Sequence, residues 1–195
     1  MRKIFFVLLA FAMILAFTSC ATNVKYIKTP FPEKIKTIAV LPTKNVANTD
    51  DKNALKNTRI LMGGMLNERT RYKLLKFQEI DSAMQELGIT VSSLNSESIQ
   101  KLANKLNADA IIVPELLVLK TEKGLLKSTL IATVNAVAYD SSGNKIFEND
   151  GTYEEKQQTL ETAITKKIAG KVTTVYYDVI REAVYKAIKP FPRGK

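Results

Sequence analysis

The chain has 195 residues, one cysteine and no histidine, with 29 basic against 19 acidic side chains and a formal charge of +10. Without imidazole there is no Ser-His-Asp, Cys-His or zinc-water chemistry, and a single thiol leaves no disulfide and no thiolate metal cage. The amino terminus carries Arg2 and Lys3, then uncharged apolar residues over 4–17, too few for a comfortable membrane span, then small Thr18 and Ser19 before Cys20. That order predicts an export signal over residues 1–19, with cleavage between Ser19 and Cys20.

Phe17-Thr18-Ser19-Cys20 resembles the lipobox of bacterial lipoproteins, with Phe17 in place of the usual Leu. The resemblance implies that the Cys20 thiol is diacylated, that the freed amine is often acylated as well, and that the mature chain begins at Cys20. At about 0.8 kcal/mol per buried methylene, two or three long acyl chains hold a protein on a bilayer almost permanently. Ala21 after the cysteine, rather than Asp, fits sorting to the periplasmic face of the outer membrane as in Gram-negative relatives. In a single-membrane organism the chain would sit on the outer surface of the cell membrane. Losing Arg2 and Lys3 leaves 27 basic against 19 acidic residues, a net charge of +8. Export removes nucleic acid as a partner for this charge. Anionic lipid headgroups, the anionic cell wall and an acidic partner remain, as does a plain lysine-rich solvated surface. Arg69, Arg71, Lys73 and Lys76 form the densest run, which strand alternation would divide between two faces.

Residues 20–35 hold Pro30, Pro32 and several lysines without apolar periodicity and read as a lipidated tether, leaving 36–195 as a single domain. A β-branched run over 36–42, closed by Pro42, predicts a buried strand, followed by a polar loop over 43–51. Thr58, Leu61, Met62, Met65 and Leu66 recur at helical spacing and predict a helix over 52–69, in which Gly63-Gly64 implies close packing on the sheet. A second strand is expected over 72–77. A short helix through Ile80, Ala83, Met84 and Leu87 stops at Gly88, and a further helix, capped by Ser96, carries Ile99, Leu102, Ala103 and Leu106. Residues 110–113 and 116–119 read as a third strand, bent at Pro114.

From Ser128 to Tyr139, Leu130, Ala132, Val134, Ala136 and Ala138 alternate with Thr129, Thr133 and Asn135. A turn over 140–144 then leads into a returning strand over 145–153. Residues 159–188 read as helical, with Gly170 as a possible division. Leu160, Ile164, Ile168, Val172, Val175 and Val179 form one stripe, and Tyr176, Ile180, Val184 and Ile188 a second. With Tyr177 and Tyr185 added, so wide an apolar arc is either buried on two sides or presents a contact face to a partner or another copy. The order of elements predicts an α/β domain: a mixed sheet of about five strands flanked by helices, with a long C-terminal helical segment.

No Gly-x-Ser-x-Gly, phosphate-cradling loop or dinucleotide turn is present, so neither an enzyme nor a cofactor is expected. Asp50-Asp51 and Glu154-Glu155 are sequence neighbours that read as helix-start and surface residues, and residues 140–144 lack the oxygen ligands of a calcium loop. Ile38-Ala-Val-Leu-Pro42, Tyr72-Lys-Leu-Leu75, Glu79-Ile-Asp81, Leu87-Gly-Ile89, Leu106-Asn-Ala-Asp-Ala-Ile-Ile112 and Val134-Asn-Ala-Val-Ala-Tyr-Asp140, in that order, carry a further likeness. They resemble the group of envelope lipoproteins that includes the curli secretion-channel lipoprotein, the activator of bifunctional peptidoglycan synthases and small meningococcal lipoproteins, and the amino-terminal domain of the Tol-system propeller protein is similar. The resemblance implies a binding and assembly module without catalytic residues, either an accessory or activator of an envelope complex such as cell-wall synthesis, or a self-assembling ring component of a secretion or transport apparatus. Only eight residues, 120–127, separate Leu119 from Ser128, which leaves no room for the extra pore-forming hairpins of the curli-channel relatives.

Overall fold

The computed structural model describes residues 32, 34–69, 72–124, 127–158 and 176–192. The signal, Cys20, most of the tether and the stretch 159–175 lie outside the described residues. The chain enters a six-stranded mixed sheet at β1 (Thr37–Val40), where Asp109 fixes its position: the carboxylate accepts from the backbone N–H groups of Lys36 and Thr37 at 2.9 and 2.8 Å. β1 pairs in parallel with β4 (Ala110–Lys123), Ile38 opposite Ala110. Proline has no N–H to give a ladder, and pairing breaks at Pro42. It resumes at β2 (Lys44–Asn45), Lys44 opposite Glu115, so β2 continues along the same side of β4.

The remaining strands are β3 (Lys73–Leu74), β5 (Lys127–Asp140) and β6 (Lys145–Gln158), and the order across the sheet is β3-β1-β4-β5-β6. β4, β5 and β6 form an antiparallel meander. The β5–β6 turn is closed by Asp140, whose Oδ1 accepts from the N–H groups of Ser142 and Asn144 at 2.9 Å each, with Gly143 at φ +81°. This carboxylate serves its own turn, in keeping with the reading of 140–144 as a turn.

Period-2 alternation sends side chains to two cores. Ile38, Val40, Ile112, Leu116, Leu130 and the small residues Ala132, Val134, Ala136 and Ala138 face α1 (Lys52–Asn67) and α4 (Tyr177–Ile188). Ala39, Leu41, Ile111, Val113 and Val137 face α2 (Phe77–Glu86) and α3 (Ser96–Leu106). Each helix is placed by a local signal. Asp51 caps α1 by accepting from Ala54 N–H at 3.0 Å, Gly88 at φ +63° follows the end of α2, and Asn107 at φ +49° ends α3. Arg59 ties opposite faces of the sheet together: from α1 its Nε donates to Val40 O at 3.1 Å, its guanidinium meets both Asp81 oxygens at 2.8 and 2.9 Å, and it lies 4.4 Å over the Phe77 ring.

Several expectations are corrected in detail. β3 is two residues rather than six, because Phe77 turns into α2 and packs against Gly63, where an added Cβ would lie 2.8 Å from the ring. Gly63 therefore accommodates α2 and β3 side chains rather than the sheet at large, and Gly64 has nothing within 4 Å. Asn95, not Ser96, caps α3: its Oδ1 accepts from Ser98 N–H at 2.8 Å while Ser98 Oγ accepts from Asn95 N–H, also at 2.8 Å, a capping box. Ser96 Oγ instead donates to Gly143 O at 2.9 Å, docking the β5–β6 turn on the helix. β4 runs straight through Pro114, and its irregularity falls between Leu116 and Val118. The three meander strands are 14 residues each, so the stretch 120–127 is mostly strand rather than connection.

α4 lies directly on β6. An added Cβ at Gly151 would sit 2.2 Å from Ala183 O and 2.5 Å from Ala187 N. Beside it Asn149 donates to the carbonyls of Lys186 and Ala187 at 3.2 and 2.8 Å, and Lys186 Nζ donates to Thr152 O at 2.8 Å. Beyond the helix the Phe191 carbonyl accepts from Arg69, and its ring packs on Phe147, centroids 4.2 Å apart.

Two glycine substitutions should therefore move stability in opposite directions. Gly151→Ala has no space and should destabilise by about 2 kcal/mol or more, as overpacking does. Gly64→Ala adds a methyl in open space on a helix and should stabilise by about 0.5–1 kcal/mol. Urea unfolding of the full chain checks both.

Candidate interaction surface

Carboxylates and cations are placed here by the folding of their own elements, and few converge. Glu154 and Glu155 stand on opposite faces of β6, opposite Ile131 and Leu130 of β5 respectively. Asp51 is a helix cap. Of the basic run, Arg69 is buried toward Phe191, Lys73 and Lys76 are exposed and Arg71 lies outside the described residues, so the inward turn of Arg69 removes one charge from any patch. Among the described residues no group of three or more Cys, Asp or Glu is placed to hold a metal ion. No described helix is long and apolar enough to cross a membrane.

One polar cluster does form, on the face of the sheet that carries α2 and α3, where β2, β4, β5 and β6 run side by side. Glu115 accepts from Lys44 Nζ at 3.1 Å and from Asn135 Nδ2 at 3.0 Å; Glu148 accepts from Asn135 at 3.2 Å and from Lys145 Nζ at 2.8 Å. The hydrogen bond to Glu148 holds the Lys145 ammonium above the usual lysine range, while partial desolvation pulls the other way. Two cations balance two carboxylates, so the cluster braces four strands and offers no free charge for acid–base work.

Tyr177 and Tyr185, expected as a contact face, are exposed at 36% and 41%. Both lie on α4, eight residues apart and thus on nearby faces, with Arg181 between them. Arg181 is held beside Asp178 at 3.7 Å and Glu182 at 3.1 Å. The second apolar stripe divides: Ile180, Val184 and Ile188 are buried with Val179, while Tyr176 is half-buried, its hydroxyl 2.7 Å from Thr121 Oγ1. Simple core packing accounts for the stripe, and the two tyrosines remain as aromatic surface beside it.

No protein-family model matches the chain, and no curated relative matches its sequence. Solved structures do share its fold. Lipoprotein GNA1162 from Neisseria meningitidis superimposes with a TM-score of 0.53 at 17% identity, over 70% of this chain and 99% of that one. A PelC dodecamer from Paraburkholderia phytofirmans gives a TM-score of 0.55 at 13% identity, over 88% and 99%. The hypothetical protein CT253 from Chlamydia trachomatis gives 0.54 at 14% identity, over 80% and 94%. The envelope-lipoprotein resemblance read from the sequence is thus met at the level of the fold.

The polar cluster yields a stability prediction. Asn135→Leu removes the donor shared by Glu115 and Glu148, each of which keeps its lysine, and should cost about 1 kcal/mol, the net contribution of a part-buried hydrogen bond. The loss should appear as a lower urea midpoint at unchanged slope.

Proposed function

We propose that the chain is a lipid-anchored, non-catalytic module of the bacterial envelope that works by binding protein. In this reading the signal is cut between Ser19 and Cys20, Cys20 carries the acyl chains, and domain 36–195 stands on the periplasmic face of the outer membrane. The observation that carries it is the domain itself: an α/β sheet that it has in common with a lipoprotein, GNA1162, and with PelC. The ionised groups fit the same reading, since Asp51, Asp81, Asp109, Glu115, Glu148, Arg59 and Arg69 are engaged in holding elements together.

Two partners suit such a module, an envelope complex that it assists and further copies of itself. The second is favoured by the PelC comparison, which is with a dodecamer and extends over 88% of this chain. Tyr177 and Tyr185 are the surface assigned to a foreign partner, because aromatic side chains on a rigid helix bury large area at low entropic cost.

Cys20→Ser should abolish incorporation of labelled palmitate and release the protein from membranes; retained label would overturn the anchor. Crosslinking of the full-length chain in cells, followed by mass spectrometry of the captured species, tests the binding role. Recovery of an envelope enzyme supports an accessory or activator, and a self-crosslinked ladder supports a ring component. Absence of both at expression levels that saturate the membrane fraction would refute the module reading. Tyr177→Glu with Tyr185→Glu should abolish the foreign-partner crosslink without lowering the unfolding midpoint, since neither side chain is in the core.

A further inference from the structure

The meander strands outrun the rest of the sheet. β2 accompanies β4 only to Leu116, and among the described residues no strand pairs with β4 beyond that point on the side away from β5. Nor does a described strand pair with the outer side of β6. Among the described residues, two edges of one three-stranded ribbon thus lack a strand partner: β4 from Val118 on, and β6 from Tyr153 on, since the Thr152 carbonyl already accepts from Lys186 Nζ. Because β4 and β6 each run antiparallel to β5, they point the same way.

The side chains on these edges carry a pattern. Lys120, Ile131 and Glu154 form one cross-strand row, and Glu122, Thr129 and Lys156 form another two residues on. All four charged members of those rows are exposed, and within the monomer Lys120 and Glu122 pair at 2.6 Å. The charge sequence read along the β4 edge is plus then minus, and along the β6 edge it is minus then plus. If the ribbon is continued in register by another copy, Glu154 falls beside Lys120 and Lys156 beside Glu122. The same register sets Thr152 beside Val118 and Tyr153 beside Leu119.

From this complementarity we infer that the ribbon is a self-association surface, in which the β6 edge of one copy pairs in parallel with the β4 edge of the next. The occupant of each open edge is a second copy of this chain. The contact is head-to-tail, each copy using both edges, so it propagates from copy to copy until the rotation closes a ring. β2 sets its limit, since it covers β4 up to Leu116 and confines the pairing to roughly six residues, a usual strand length. The inference rests on the self-assembly branch of the proposed function and adds to it the surface, the register and the polarity.

Charge exchange between the edges tests it on the full-length chain, purified from membranes in detergent and sized by sedimentation velocity. Lys120→Glu with Glu122→Lys reverses the β4 edge while keeping the internal pair, and should weaken self-association about tenfold or more. Adding Glu154→Lys and Lys156→Glu should restore the wild-type size. A two-fold contact between β6 edges would ignore the first exchange, so an unchanged oligomer overturns the inference while leaving self-assembly standing. A wild-type chain that stays monomeric overturns both. As a positive readout independent of stability, Lys120→Cys with Glu154→Cys should form intermolecular disulfides on mild oxidation, giving a ladder of linked copies. Absence of that ladder in an oligomeric sample refutes the register.

Discussion

The contact of α4 with β6 decides whether the larger core exists. A helix backbone lies against Gly151, where even a methyl group has no space, and the row Ala132, Val134, Ala136, Ala138 on β5 keeps the neighbouring surface low. Small residues bring the helix close, and closeness lets Asn149 reach the carbonyls of Lys186 and Ala187 that no further turn of helix would satisfy. Phe191, its carbonyl held by Arg69 and its ring on Phe147, continues the same attachment to the end of α1. Removing α4 would bare Leu130, Val134 and the alanine row together, so one face of the sheet depends on a helix that follows it in sequence.

Much of this architecture is legible in the residues. β1 is read correctly from a short β-branched run closed by Pro42, α1 and β5 from apolar periods sustained over their length, and the turn at 140–144 because Asp, Gly and Asn sit where it needs them. The miscues have physical causes. β2 carries a lysine and an asparagine, and owes its strand geometry to the neighbouring β4 rather than to any apolar run. Asn95 and Ser96 are both good caps, and only the reciprocal bond with Ser98 distinguishes them. The outer halves of β4 and β6 escape a hydropathy reading because, past the helices, one face of the ribbon has no described apolar cover to demand alternation.

The candidate surface was less legible than the fold. Tyr177 and Tyr185 could be named from helical spacing, since both fall just outside the stripe that the core claims. Arg59 and Arg69 look in sequence like ordinary surface cations, yet they are among the most buried charges described, at 9% and 7% exposure. Long aliphatic stems let such side chains lie in a core while the guanidinium finds carbonyl and carboxylate acceptors. The cross-strand rows of the ribbon are invisible until register is known, because residues 7 to 27 positions apart in sequence become neighbours only through pairing.

The parallel pairing of β1 with β4 also gives the domain a polarity. The chain enters the sheet at Thr37, beside Asp109, where β4 begins and β5 ends. From there β4 runs 14 residues in one direction, on the order of 45 Å at strand rise, to the hairpin that joins it to β5. The chain's point of entry and the ribbon tip therefore occupy opposite poles of the sheet. That polarity makes the ribbon a mast, its tip standing at the end of the sheet opposite the point where the chain enters.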